Sequence, residues 1–83
     1  MVIVLEKLFV VHFQKCPDDF QARFRKVYQQ LKVVDKVTEI KGVFPVEKKL
    51  YKLVIDKSKI ALRVDGDTVT IGCFLYNQFY KSS

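Results

Sequence analysis

The sequence predicts an α+β domain, in the order β-α-α-β-β-β, with one or two helices packed on one face of a twisted antiparallel sheet. An amphipathic segment at residues 16–34 is typical of a helix. Three strand-like runs follow it at 50–55, 59–64 and 68–76, separated by short turn signals that favour hairpins. The 83 residues are enough for one domain, residues 1–83, with one core.

Composition and charge narrow the class of protein. Hydrophobic residues make up 49% of the chain, which argues against disorder. Fifteen Lys and Arg oppose nine Asp and Glu, so that the net charge is +6. Such an excess attracts polyanions at long range, but small basic domains without a nucleic-acid partner also exist. Charge alone therefore leaves both kinds of protein open.

The cysteine content and the first residues predict a cytoplasmic protein. Two cysteines are too few for a disulfide framework. The apolar opening MVIVLEKLFVV is interrupted by Glu6 and Lys7, shows no small-residue cleavage site and is too short to span a bilayer. We therefore expect reduced thiols and no membrane association.

The first fifteen residues predict a strand and then a short helix. The β-branched residues of VIVLEKL, at 2–8, favour a strand. Residues 9–15 are ambiguous, because the valines at 10–11 favour a strand whereas Phe9 and Phe13, four residues apart, favour a helix. We expect the helix.

Residues 16–34 predict the longest helix of the chain. Pro17 suits a first helical position, and Asp18 and Asp19 place negative charge at the positive end of the helix dipole. Spacings of four and three residues align the apolar side chains in one stripe, formed by Phe20, Phe24, Val27, Leu31 and Val34.

The second half predicts a loop and then a three-stranded meander. Gly42 and Pro45 act as breakers, so that a loop is expected at 43–49. Two-residue turns are expected at 57–58 and at 65–66, the latter an Asp-Gly pair typical of hairpins.

Because side chains of a strand alternate between faces, this register predicts two faces for the meander. In it, Leu62 pairs with Leu53 and Val69, and Arg63 lies beside Lys52. The face expected to meet the helix comprises Tyr51, Leu53, Ile55, Ile60, Leu62, Val64, Val69, Ile71, Cys73 and Leu75. The opposite face comprises Lys52, Val54, Lys59, Ala61, Arg63, Thr68, Thr70, Gly72, Phe74 and Tyr76.

The second of these faces suggests a function. It combines three cations, Lys52, Lys59 and Arg63, with the rings of Phe74 and Tyr76. A positive surface with stacking rings suits single-stranded RNA. Cations that merely keep a solvated face soluble explain the same charges about equally well.

The polar residues predict neither a metal nor a cofactor. Cys16, Cys73 and His12 are too few for a four-ligand zinc site, and no Gly-rich phosphate loop is present. No carboxylate or serine stands at motif spacing from His12, so we expect it to be a packing or surface residue. Cys73 is expected to be buried.

The order of elements resembles the RelE/ParE superfamily of toxins from bacterial and archaeal toxin–antitoxin pairs. The residues that carry the resemblance are FVVHFQKCPDDFQARFRKVYQQL, EIKGV, LYKLVIDKSKIALRVDGDTVTI and the late QFY. The resemblance implies ribosome-dependent cleavage of messenger RNA, in which the RNA 2′-hydroxyl attacks the adjacent phosphate without a metal. It also implies an antitoxin partner that folds on binding, with messenger RNA and the ribosome as the other partners.

The resemblance also implies site residues. Lys52 matches the basic residue that follows the strand tyrosine, Lys59 stands where most members have an arginine, and Tyr80 matches the tyrosine near the C-terminus. These three are the expected catalytic residues. The expected RNA-binding residues are Lys49, Arg63, Phe74, Tyr76 and Lys81.

This sequence departs from the family pattern in ways that keep alternatives open. Members that cut RNA usually carry a further arginine, with a histidine or lysine, before the last tyrosine, and LYNQFY has neither. Val54 replaces a second lysine, and Lys59 lacks the planar fork of arginine. The alternatives are a relative that binds antitoxin or RNA without cleavage, a ParE-like inhibitor of DNA gyrase, and a non-toxic RNA-binding or interaction module.

Overall fold

The computed structural model of the protein describes residues 1–79 and confirms the α+β class. Two helices and a five-stranded sheet account for most of these residues. The elements are β1 (Val2–Leu5), α1 (Lys7–Gln14), α2 (Asp18–Val33), a short 3-10 helix (Val37–Glu39), β2 (Val43–Glu47), β3 (Leu50–Ile55), β4 (Ser58–Asp65) and β5 (Thr68–Tyr76).

The sheet is mixed rather than purely antiparallel. Its strand order is β1-β5-β4-β3-β2, and β2 to β5 form an antiparallel meander. β1 pairs in parallel with β5, with Val2 opposite Thr68 and Leu5 opposite Ile71. A parallel pair requires a long connection. Here the helices and the rest of the meander separate the two strands in the chain.

The helices form as the sequence predicts, and their apolar stripe builds the core. α1 covers the ambiguous segment as far as Gln14, but it begins at Lys7, within the residues 2–8 that the sequence predicts as a strand. Pro17 is the N-cap of α2 and not its first helical residue, and its carbonyl accepts a hydrogen bond from the Gln21 N–H at 3.0 Å. The ring of Phe9 lies 5.2 Å from that of Phe24. The buried residues of α2 are Phe20, Phe24 and Leu31.

Residues 43–47 form a strand, so the loop expected at 43–49 is wrong. β2 lies at the edge of the sheet, where Pro45 is tolerated because one side of an edge strand needs no N–H. Gly42 adopts φ 97°, and a Cβ there would come within 2.9 Å of the Val54 carbonyl oxygen. Gly42 therefore lies directly before β2, and it does not mark a loop in place of the strand.

Both predicted hairpins exist, but each turn lies one residue from its expected position. Residues 56–57 and 66–67 form the two-residue turns, with positive φ at Asp56 and Gly66. The pairing is therefore shifted by two residues. A shift of two keeps every side chain on its face, because the alternation has a period of two.

The shift changes which residues lie opposite one another. Leu62 lies opposite Ile71 and not Val69, and Lys52 lies opposite Ala61. The expected position of Arg63 beside Lys52 is therefore wrong by two residues. Both side chains nevertheless remain on the face opposite the core.

A β-bulge interrupts the pairing of β4 with β5. Ile71 lies opposite Leu62, but Phe74 lies opposite Ile60, so the two residues 72–73 oppose a single residue of β4. From the bulge to a second irregularity, which lies between Phe74 and Tyr76, the alternation of β5 is inverted relative to a regular strand.

The inversion overturns three expectations for β5. Phe74 packs into the core, with its ring 5.3 Å from that of Phe9 and 6.1 Å from that of Phe20, and therefore does not lie on the open face. Leu75, expected in the core, is 52% exposed. Cys73, also expected to be buried, is half-buried and lines a surface cavity.

Candidate functional site

Three cations form a triangle on the sheet face opposite α2. Lys59 and Arg63 flank Ala61 on β4, each two residues away, and Lys52 of β3 lies directly opposite Ala61. Diagonal neighbours of this kind lie about 7–8 Å apart. Lys59 and Arg63 are exposed and Lys52 is half-buried. Lys52, Lys59 and Arg63, here called the cation triangle, thus share one face, as the sequence predicts. That face is called the outer face below.

An aromatic ring positions Lys52. Phe44 of β2 pairs with Lys52, and the Lys52 Nζ lies 5.9 Å from the centroid of the Phe44 ring. This cation–π contact holds the amine over the outer face. The ring is 48% exposed and offers a surface for stacking. Sequence reasoning missed Phe44, because it placed the residue in a loop.

Tyr76 is the aromatic partner of Lys59. A second irregularity in the β4–β5 pairing brings Tyr76 opposite Lys59, so that both side chains lie on one face. Tyr76 is 54% exposed. A ring and an amine are therefore adjacent at one end of the cation triangle.

Lys49 lies apart from the triangle, in the turn between β2 and β3. Its Nζ forms an exposed ion pair with Asp65 Oδ1 at 3.7 Å. The carboxylate offsets the charge of Lys49, so that this corner attracts a polyanion less than the triangle does.

The chain beyond β5 folds back on the turn between β3 and β4. The Gln78 Oε1 accepts a hydrogen bond from the Lys57 N–H at 2.8 Å, and the Phe79 ring packs edge-on against Phe20 at 5.2 Å. Tyr80 and Lys81, two of the expected site residues, lie outside the described residues.

A cavity of about 250 Å³ opens on the outer face beside the cation triangle. The bulge produces it, since both Gly72 and Cys73 line it together with Thr70. Arg63 forms part of its wall. No pattern in the sequence signalled this cavity, because a regular strand would not turn two successive residues toward one face.

The remaining candidates for chemistry, His12 and Cys16, lie in α1 and in the segment between α1 and α2. His12 is half-buried on α1, and within residues 1–79 no group of His, Cys, Asp and Glu could hold a metal ion. Cys16 is buried, and this burial raises the pKa of its thiol, an effect that the polar Asn77 side chain partly offsets. Neither described helix is long and apolar enough to cross a membrane.

The fold is similar to that of a chain in the crystal structure of the RelB-RelE antitoxin-toxin complex from Methanococcus jannaschii. The TM-score is 0.76, the sequence identity is 16%, and the match covers 88% of each chain. At this identity the similarity shows a shared fold. No family model and no curated protein matches the sequence.

Proposed function

We propose that the protein is the toxin of a type II toxin–antitoxin pair, and that its outer face binds messenger RNA on the ribosome and promotes cleavage. The observation that carries this proposal is the cation triangle, three positive side chains around Ala61 on one open sheet face. The shared fold with a chain of an antitoxin-toxin complex supports the assignment to such a pair.

The triangle suits the electrostatics of RNA cleavage. When the 2′-hydroxyl attacks the adjacent phosphate, negative charge develops on the phosphoryl oxygens. Lys52 and Lys59 are proposed to neutralise this charge, while Arg63 binds a flanking phosphate. The Tyr76 ring, adjacent to Lys59, is proposed to stack on a base. Tyr80 is proposed to move a proton or to stack on a base.

A transcript-mapping experiment tests this function. We would induce the protein in cells without an antitoxin and map new RNA ends across translated genes. Lys52→Ala and Lys59→Ala are compared with Lys26→Ala, which removes one exposed charge from α2. Cleavage within codons that the first two variants reduce and the third retains supports the proposal, provided that all three melt like the wild type.

A relative that binds RNA or antitoxin without cutting is the second candidate. The segment LYNQFY, without arginine, lysine or histidine, favours it. Growth arrest without new RNA ends would select this candidate over the nuclease. Inhibition of purified gyrase in a supercoiling assay, together with intact transcripts, would instead assign the protein to DNA gyrase.

A further inference from the structure

The cavity beside the cation triangle has the size and lining of a side-chain pocket. Its volume of about 250 Å³ lies below the range of about 300–1,000 Å³ typical of small-molecule sites. It still exceeds a cavity of about 150 Å³ that holds benzene. Leu8, Leu50, Ala61 and Gly72 supply much of its wall. One large apolar side chain therefore fits it better than a whole ligand.

Apolar surface continues from the cavity toward the edge of the sheet. Leu8, at the cavity wall, is 56% exposed. Val4 of β1 pairs with Thr70, another wall residue, and is 44% exposed. No aromatic ring is among the described residues that line the cavity, so that it lacks the stacking platform on which proteins usually bind a nucleobase.

Charge identifies the kind of chain that carries this side chain. The cavity wall carries one cation, Arg63, and one carboxylate, Glu6, and the balance is positive because Lys52 and Lys59 share its face. A second copy of this protein would bring the same cations and another net charge of +6 to the interface, so that the two copies would repel. A segment with Asp or Glu beside the apolar residue would instead pair with Arg63.

We propose that this cavity binds one large apolar side chain, flanked by acidic residues, from a partner protein. The preference of the cavity for such a side chain is independent of the function proposed above. The identification of the partner as the antitoxin rests on that proposed function. A segment bound in this way would lie over Arg63 and compete with RNA for the cation triangle.

Gly72 provides a way to close the cavity without disturbing the fold. A Cβ at Gly72 would meet the Glu6 Oε1 at 3.6 Å and the Ala61 carbonyl oxygen at 4.0 Å, which are ordinary contacts, and its φ is not in the left-handed region. Valine also favours a strand. We therefore expect Gly72→Val to fold with a filled cavity. Thr68→Val is the matched control, because it creates the same side chain on the same strand and face, outside the cavity lining.

The test uses a library of random twelve-residue peptides, selected on the wild-type protein. We expect the enriched peptides to share one Leu, Ile, Met or Phe beside Asp or Glu. For a synthesised peptide, fluorescence anisotropy should show an affinity loss of about tenfold when that apolar residue becomes Ser or when the protein carries Gly72→Val, whereas Thr68→Val should change it less than about twofold. Leu8→Asp, at an exposed position, provides a second variant with the same expected loss.

Other outcomes would overturn the proposal. One is that the selected peptides bind Gly72→Val and Leu8→Asp as tightly as they bind the wild type, and another is that no peptide is enriched. A third is that a twelve-nucleotide RNA, and no peptide, loses affinity in both variants, which would assign the cavity to a base. Peptide binding is measured on purified protein. A toxic protein without a peptide site would therefore contradict this inference alone, and a peptide site in a protein that neither arrests growth nor cuts RNA would contradict only the proposed function.

Discussion

Ser58 and Gln78 join the end of β5 to the turn between β3 and β4 through two hydrogen bonds. The Ser58 Oγ accepts from the Gln78 N–H at 3.1 Å and donates to the Gln78 Oε1 at 3.2 Å. Ser58 has no exposed surface. Because it immediately precedes Lys59, this contact also fixes the chain end beside one corner of the cation triangle.

Gln78→Ala should destabilise the protein through this contact. The substitution removes the acceptor of the Ser58 hydroxyl and of the Lys57 N–H. Leaving a buried polar group without a partner costs about 1–3 kcal/mol. Urea unfolding measures the loss. Gln29→Ala, at an exposed position of α2, is the control and should stay within about 0.5 kcal/mol of the wild type. Equal stability of the two variants would show that the contact is not formed in solution.

Phe74 and Tyr76 should respond in opposite ways to truncation. Phe74 packs against the rings of Phe9 and Phe20, so that Phe74→Ala should lower the free energy of unfolding by about 2–3 kcal/mol, somewhat less than for a fully buried ring. Tyr76 is 54% exposed, so that Tyr76→Ala should retain stability while weakening RNA binding. Denaturation and RNA titration of both variants test this contrast. If Phe74→Ala instead had wild-type stability and weakened RNA binding, Phe74 would have to lie on the outer face and not in the core.

The two thiols should react at different rates. Cys73 is half-buried at a surface cavity, whereas Cys16 is buried and has a raised pKa. Since the thiolate is the reactive form, Cys16 should react more slowly near neutral pH, and its rate should keep rising to a more alkaline pH. Iodoacetamide labelling of Cys73→Ser and Cys16→Ser isolates each site. Faster labelling of Cys16 would contradict the described burial.

The helices and the two faces of the meander follow from the sequence because their signals are redundant. The stripe from Phe20 to Leu31 defines α2 whatever its exact ends. Because the predicted turns lie one residue from the observed ones, the predicted partner of Leu62 is wrong by two residues. The predicted face of its side chain is still correct, because the alternation has a period of two. The cation triangle was therefore predictable as a group, although its internal arrangement was not.

The bulge and the edge strand could not be predicted in this way. If residues 72–73 continued the regular alternation of the strand, Phe74 would lie on the outer face. The extra residue in β5 places it on the core face instead. Pro45 is typical of a loop until the sheet supplies an edge for it. The cavity depends on the bulge, and the position of the Phe44 ring depends on the edge strand, so that neither could be predicted from the sequence.

In the wild-type protein, the carboxylate of Asp65 should weaken RNA binding, because it forms an ion pair with Lys49. The pair is exposed and joins the two turns at one end of the sheet. Asp65→Asn removes the carboxylate and leaves Lys49 able to meet a phosphate. The slope of log affinity against log salt should then become steeper by about 0.7. Asp67→Asn, a neighbouring exposed carboxylate, is the control for the change in net charge alone. An equal effect of both variants would deny Lys49 a specific role.

The central claim is that the cation triangle of Lys52, Lys59 and Arg63 binds the phosphates of single-stranded RNA. The most direct test is the affinity of the purified protein for a short single-stranded RNA, measured across a series of salt concentrations. Three phosphate contacts predict a slope of log affinity against log salt of about −2, which Lys59→Ala should reduce to about −1.4. A flat response, or the same slope after all three cations are replaced by alanine, would contradict the account.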